Sequence, residues 1–423
     1  MPSGLTETYN SDQERESLAI IGGGSLGPIA VIELAQRVVH DDLTLKNQRL
    51  HLCDPDGFAN GGIAYGLAHP NQRLNSTRDE MSPWNPGAFE AYATRITNLD
   101  ETKTFEPRVL YKDFLEESYQ SALETLKEAG AEIIEHRVKA DISYQDPERI
   151  SIINAEQNSP SPLCEVHPRN LLLTLGYGPN AKFESLKPYS QQGYIHSLYP
   201  SDTLDEEPSL HNDDNIDVVV LGSGPALYDF VNVLDKPPES VDLTVFSNSA
   251  LMGVRDVTLE KNETHFTPTY LQEAGSNTSL DDLKDLVTQD FNAALQNGFT
   301  PRRASLDIIN DMRTSLKRLA PQVATEYIKS QDFAHLKHKA TPVPEESVTR
   351  LNSFSPQHLK AHICAEDITP QDNGRFLIAT PDDMIEADLI VNATGHGRHN
   401  HPLLKNMEEN GHAIFDETTQ CWV

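Results

Sequence analysis

Gly22, Gly24 and Gly27 follow the spacing G-x-G-x-x-G within "SLAIIGGGSLGPIAVIELAQ" (residues 17–36), and Asp54 closes the next apolar run, "RLHLCD". The chemistry this set can do is to hold a dinucleotide. Gly22 allows a tight turn off a strand, Gly24 lets the backbone approach a pyrophosphate, and Gly27 lets a helix pack close to the strand. Ser25, Leu26 and Gly27 open that helix, so their amides and the positive end of its dipole would face the phosphates. Asp54 is placed to accept ribose hydroxyls. Its distance from Gly27 exceeds the usual interval of roughly 20 residues, and the insert "HDDLTLKNQ" accounts for the excess.

A second cluster repeats the pattern. In "IDVVVLGSGPALYDFVNVLDK" an apolar strand meets Gly222, Ser223, Gly224, Pro225 and Ala226 before another helix. The third glycine position is Leu227, so helix and strand should sit slightly farther apart. The following strand ends in "VFSNSALM" with no acid to grip a ribose. Ser247 and Asn248, with Ser249, are the candidates for a ribose phosphate, and Arg255 or Lys261 could add charge. A carboxylate would repel a 2′-phosphate, so its absence favours NADPH and leaves NADH open.

Other groupings carry less. His396, His399 and His401 in "HGRHNH" have no cysteine or carboxylate to complete a metal site, and no metal is expected. His335 and His338 are expected to line a domain interface. Arg302 and Arg303 open a helix and could meet an anionic substrate, with solvated charge as the default expectation. There is no nucleophile elbow, paired-carboxylate hydrolase pattern or phosphate-binding lysine loop, and no catalytic side chain is assigned.

The elements that must position these residues follow an α/β plan. After a polar tail (1–16) the expectation is two Rossmann-like dinucleotide-binding domains, the second inserted in the first. The first comprises 17–199 and 386–423, an acidic, proline-broken linker spans 200–215, and the second covers 216–385, including a helical segment over 279–345. "YKDFLEESYQSALETLKEAG" reads as a helix stopped at Gly130. In "SLDDLKDLVTQDFNAALQNG" the residues Leu280, Leu283, Leu286, Val287, Phe291 and Leu295 share a face, with Ser279 as cap and Gly298 past the end. The loop "PDGFANGGIAYGLAHPNQRLNSTRDEMSPW" is too long to be a simple connection.

Bulk composition narrows the partners. With 64 acids against 34 bases the net charge is -30, which disfavours nucleic acid and anionic membranes. Four scattered cysteines form no pairing motif. The polar start has no apolar signal core, and no apolar run reaches the ~18 residues of a membrane span. The expected setting is cytoplasmic and the expected partner a small-molecule substrate. No oligomeric state is assigned.

In this order the motifs acquire a family likeness. "IIGGGSLG", "GGIAYG", "RLNSTRDEMS", "LGSGPALYD", "YIKSQDFAHLKHKATPVP" and "DLIVNATG" span most of the chain. They resemble the FAD/NAD(P)-binding flavoproteins with two dinucleotide-binding domains, related to N-hydroxylating and Baeyer–Villiger flavin monooxygenases. The resemblance implies FAD held by Gly22, Gly24, Gly27 and Asp54, with Asn75 toward the flavin and Val138 meeting the adenine. It implies a nicotinamide cofactor at Gly222 to Ala226, and places Thr394 and Gly395 where the chain returns to the first domain. In that family a further strand and helix follow this return. The stretch here is shorter, so the expectation is either that the flavin ring is held differently or that this is a shortened member with weakened FAD binding. The implied activity is an NAD(P)H-using, FAD-dependent monooxygenase; the alternatives are a plain flavin reductase or oxidase, and a non-catalytic nucleotide sensor.

Overall fold

The structure is a computed structural model. It describes residues 17–41, 43–46, 48–78, 81–82, 84–97, 105–143, 151–154, 166, 168–176, 183–190, 192–198, 207, 210, 215–247, 265–341, 343–395, 402–413, 415–416 and 421–422. Asn248, the histidines of "HGRHNH", and most of the acidic linker lie outside the described residues.

Two parallel sheets carry the molecule. In the first, β1 (Ser17–Ile21) lies between β2 (Arg49–Cys53) and β6 (Asn170–Leu173), and β3 (Glu132–His136) extends the far side of β2. Helices α1 (Leu26–His40) and α4 (Arg108–Glu128) cover one face, where Ile20, Leu52, Val31, Leu115 and Tyr119 are buried together. On the other face, Ala19, Ile21 and Cys53 meet Ile142 and Ile152 of the antiparallel pair β4 (Ala140–Ser143) and β5 (Ser151–Asn154). Strands buried on both faces are nearly all apolar, which is why "LAII" shows no alternation. Between β2 and α4 lie two shorter helices, α2 (Gly62–Tyr65) and α3 (Ala88–Thr97).

The second sheet runs β10-β9-β8-β14-β7, all parallel, from β7 (Tyr194–Ile195), β8 (Ile216–Leu221), β9 (Val241–Ser247), β10 (Gln357–Lys360) and β14 (Leu389–Asn392). Helix α5 (Pro225–Val233) packs on one face. The antiparallel strands β11 (Ile368–Pro370), β12 (Phe376–Ala379) and β13 (Met384–Ala387) cover the other.

This topology departs from two expected boundaries. "DLIVNATG", expected with the first domain as part of 386–423, supplies β14, which hydrogen-bonds between β8 and β7 in the second sheet. Residues 194–195, expected in 17–199 with the first domain, form that sheet's edge. The return to the first unit is made later. It falls to helix α11 (Pro402–Glu409), whose Asn406 Nδ2 donates to Asp141 Oδ1 at 2.8 Å and to the Ile142 carbonyl at 2.9 Å.

The helical segment forms its own core from α6 (Leu280–Gln296), α7 (Pro301–Ser315), α8 (Pro321–Ile328) and α9 (Gln331–Ala340). Ser279 caps α6 reciprocally with Asp282, and Gly298 takes a positive φ just past its end. Leu283 and Val287 are buried, whereas Leu295, expected on that face, is exposed. Arg303 is not solvated: its Nε donates to Asp307 Oδ2 at 2.7 Å, and Arg302 is buried. His335 is exposed rather than at an interface. A last helix, α10 (Glu345–Ser353), packs against α5. No helix of the described residues is long and apolar enough to cross a membrane.

Candidate functional site

Both glycine corners stand where their sheet reverses strand order, at the carboxyl ends of β1 and β8, the usual place for a ligand crevice. At the first, Gly22 has φ +109°, and a Cβ there would strike the Thr174 carbonyl at the end of β6. The Thr174 hydroxyl donates to the Gly22 carbonyl at 2.6 Å, closing the turn. A Cβ on Gly27 would collide with the Gly22 carbonyl, so α1 lies directly on the turn. Above Gly24 the nearest atom to a Cβ would be Gly62 Cα at 3.2 Å. The amides of Gly24, Ser25, Leu26 and Gly27 reach no acceptor among the described residues.

Asp54 arrives beside these amides at the end of β2. Its Oδ2 accepts the Gly23 amide at 2.6 Å, and its Oδ1 accepts the Asp56 amide at 2.9 Å and Asn60 Nδ2 at 3.1 Å. Burial pushes the carboxyl above its usual range, while those donors pull it back. With about four acceptor positions on a carboxylate, one on Oδ2 stays open to a ribose hydroxyl. Asp54 therefore braces the corner as much as it serves a ligand. Asn60 completes the brace, donating to the Gly57 carbonyl at 2.8 Å and accepting the Gly62 amide at 2.6 Å. Val138 is half-buried just past β3, next to Arg137, whose guanidinium lies along Gly57.

Around the corner Leu26, Ile63 and Leu67 are 55%, 51% and 58% exposed. Three apolar side chains bared on the segments that meet at Gly24 and Gly62 suit a surface that a ligand covers. Asn75 is half-buried beyond Leu74, whose amide donates to the Glu106 carbonyl at 2.8 Å.

The second corner reproduces the first. Gly222 has φ +114°, and a Cβ would sit 2.5 Å from the Ala393 carbonyl at the end of β14. A Cβ on Gly224 would meet nothing within 4 Å, so the space above it is open. Pro225 has no amide, and those of Ser223, Gly224 and Ala226 reach no acceptor among the described residues. Leu227, at the third glycine position, is wholly buried in the core under α5. Ser247 is half-buried at the end of β9. Thr394 and Gly395 lie exposed beside the corner; the Thr394 hydroxyl donates to Asn392 Oδ1 at 2.7 Å, and Asn392 Nδ2 to the His196 carbonyl at 3.0 Å.

One side chain joins the corners. Arg108, at the start of α4, donates from Nη2 to Asp229 Oδ2 in α5 at 2.8 Å, from Nε to the Arg73 carbonyl at 3.1 Å, and from Nη1 to the Ala64 carbonyl in α2 at 3.4 Å. Sequence reading assigned no role to Gly23, Asn60, Arg108 or Asp229. Asn60 could have been suspected from its place before Gly61 and Gly62, since such a side chain often bonds the backbone two residues on. Nothing in the sequence pairs Arg108 with Asp229.

The amides without an acceptor among the described residues and the uncrowded Gly224 fit a dinucleotide diphosphate at each corner. Residues 19–167 match the model of a family described as FAD-NAD(P)-binding. Over that stretch the match is to an FAD/NAD(P)-binding domain, in keeping with the strand–glycine–helix corner it contains. Among solved structures, the chain is similar to FAD-bound DfoA, the desferrioxamine biosynthetic pathway cadaverine monooxygenase of Erwinia amylovora. They are 12% identical, with TM-score 0.52, covering 96% of this chain and 83% of that one. It is likewise similar to the reduced form of ornithine hydroxylase (PvdA) from Pseudomonas aeruginosa, at 14% identity and TM-score 0.53, covering 93% and 85%. At this identity the likeness is one of fold. No curated protein matches the sequence.

Proposed function

We propose that this chain is an NADPH-using, FAD-dependent monooxygenase that adds oxygen to a nucleophilic nitrogen of a small molecule. The observation that carries the reading is the pair of corners at strand-order reversals, each with amides that reach no acceptor among the described residues. Bound FAD and NADPH supply the hydride-transfer and oxygen chemistry. The chain's own part is to bind and orient. Ser25, Leu26 and Gly27 hold one diphosphate through their amides, and Ser223, Gly224 and Ala226 hold the other. Asp54 accepts a ribose hydroxyl at its open Oδ2 position. Ser247, in place of an acid, tolerates a 2′-phosphate and so supports NADPH. Asn75 lies toward the flavin end, and Thr394 and Gly395 border the nicotinamide side.

Cadaverine and ornithine, named for the two fold relatives, make primary amines the first substrate class to examine. So acidic a protein disfavours nucleic acid and anionic membranes as partners. The test begins with colour: the purified protein should be yellow and bleach under nitrogen faster with NADPH than with NADH. In air, an amine from a panel should raise NADPH consumption and gain one oxygen. Peroxide equal to NADPH consumed, whatever the amine, would make the protein an oxidase. A colourless protein that takes up no FAD would end the flavin reading.

A further inference from the structure

We propose that Arg108 and Asp229 are positioning residues that hold the nicotinamide corner against the flavin corner, so that their ion pair governs hydride passage between the two sites more than the affinity of either. This rests on the reading of the site given above. None of the buried apolar clusters crosses from one unit to the other among the described residues. Those under β1, β4 and α3 draw on the first unit, and those under β8 and β12 on the second; the helical segment keeps its own. Units joined without a shared apolar core move relative to one another by default. The join therefore depends on polar links, and among those of the described residues Arg108–Asp229 is a buried one, with side chains 9% and 6% exposed. Its companion, Arg73 Nε to Glu346 Oε1 at 2.7 Å, leaves the glutamate largely in water and is weak for that reason.

The path from corner to corner is short. Gly24 lies against Gly62, the first residue of α2. The Ala64 carbonyl in α2 receives Arg108 Nη1, and the Tyr65 ring centroid lies 5.9 Å from the guanidinium carbon. Arg108 Nη2 then reaches Asp229, a little over one helical turn beyond Gly224. Arg108 Nε is held by the Arg73 carbonyl, two residues before Asn75. A planar fork bonded in three directions fixes orientation as well as distance. Stability alone does not explain such a pair, because well-packed apolar residues often replace a buried ion pair without loss.

The experiment compares Asp229→Asn, the apolar pair Arg108→Met with Asp229→Leu, and Glu346→Gln as a surface control. The apolar pair guards against the chance that Asp229→Asn, with Arg108 left unpaired, does not fold. Two readouts are taken. In the cofactor-free protein, amide hydrogen exchange over 62–66 and 225–233 should quicken by about tenfold or more in the first two variants and not in the control. In the FAD-loaded protein, FAD and NADPH affinities should stay within about twofold, while the anaerobic bleaching rate at saturating NADPH falls about a hundredfold, as expected of a misplacement near 1 Å.

Unchanged exchange in a folded variant overturns the positioning role whatever the cofactors do. So does a wild-type bleaching rate in the apolar pair, or loss of affinity that accounts for all the loss of rate. A wild-type protein that NADPH never bleaches overturns the proposed function instead, and the exchange result still decides the role of Arg108 and Asp229.

Discussion

Gly23 leaves less room for a Cβ than Gly24 beside it. A methyl there would lie 2.6 Å from the Gly57 carbonyl and 2.8 Å from Asp54 Cβ, whereas at Gly24 the nearest atom is 3.2 Å away. Gly23→Ala should therefore lower the melting temperature and displace the Asp54 brace, measured by calorimetry and by flavin content. Gly24→Val should give a folded protein that binds little FAD, because its bulk lies where the diphosphate must come close. At the open second corner, Gly224→Val should leave melting temperature and flavin content alone and weaken NADPH binding by about tenfold or more in titration, roughly the loss of one charge-assisted hydrogen bond. Retained NADPH affinity would contradict the assignment of that corner. The turn at Gly22 and the close packing at Gly27 were legible because backbone geometry dictates residue type there. Gly23 was passed over because the motif treats its position as free, while the contact that forbids a side chain comes from Gly57, far along the chain.

Among the elements, β2 and β3 carry a device that responds to pH. His51 Nδ1 and His136 Nε2 are 3.0 Å apart across the two strands, with the rings stacked. One nitrogen must donate and the other accept, so at least one ring stays neutral. Burial, then His136, then Arg49 push the His51 imidazole down to about 4, against a smaller opposing pull from Glu132; burial also lowers His136. The folded state thus binds a proton more weakly than the unfolded chain. Above pH 6.5 both states are neutral at His51 and nothing is lost. As pH falls from 6.5 toward 4 the unfolded chain takes up the proton first, and stability declines by roughly 3 kcal/mol at most. Melting temperature followed across that window should fall more in the wild type than in His51→Leu; parallel curves would rule the pair out as the cause. The cap and the buried Leu283 and Val287 of the amphipathic α6 were readable, since helical spacing is local, though Leu295 at its far end is exposed. The membership of β14 was not. "LIVN" reads as a buried strand in either sheet, and only its pairing with Val218 to Leu221 decides which.

At the scale of the molecule, the charge of -30 and the polar join between units act together. Like charges spread over both units repel, and the repulsion weakens as the Debye length shrinks from about 30 Å at 0.01 M salt to about 3 Å at 1 M. Melting temperature should accordingly rise with sodium chloride. The buried Arg108–Asp229 pair should lose little to screening, so added salt should not reproduce the fast exchange expected of Asp229→Asn. A melting temperature that falls with salt would show that exposed attractions outweigh the repulsion. The two-unit plan, one inserted in the other, was legible from the repeated strand–glycine–helix pattern. The seam between them was not, because Arg108 and Asp229 meet across 121 residues, and although Asp229 closes "LGSGPALYD", nothing in the sequence pairs it with Arg108.

Strand β7 has a practical bearing on how the second unit could be excised. It is the outermost strand beside β14, yet it precedes the linker, and Phe183 and Leu186 ahead of it fill the core beneath β12. A gene fragment severed at 216 and 385 would forfeit both β7 and β14 and leave one side of β8 bare to other chains. A fragment from 183 to 395 keeps the whole sheet and should be the piece that stays dispersed after expression, while the shorter one collects in the pellet.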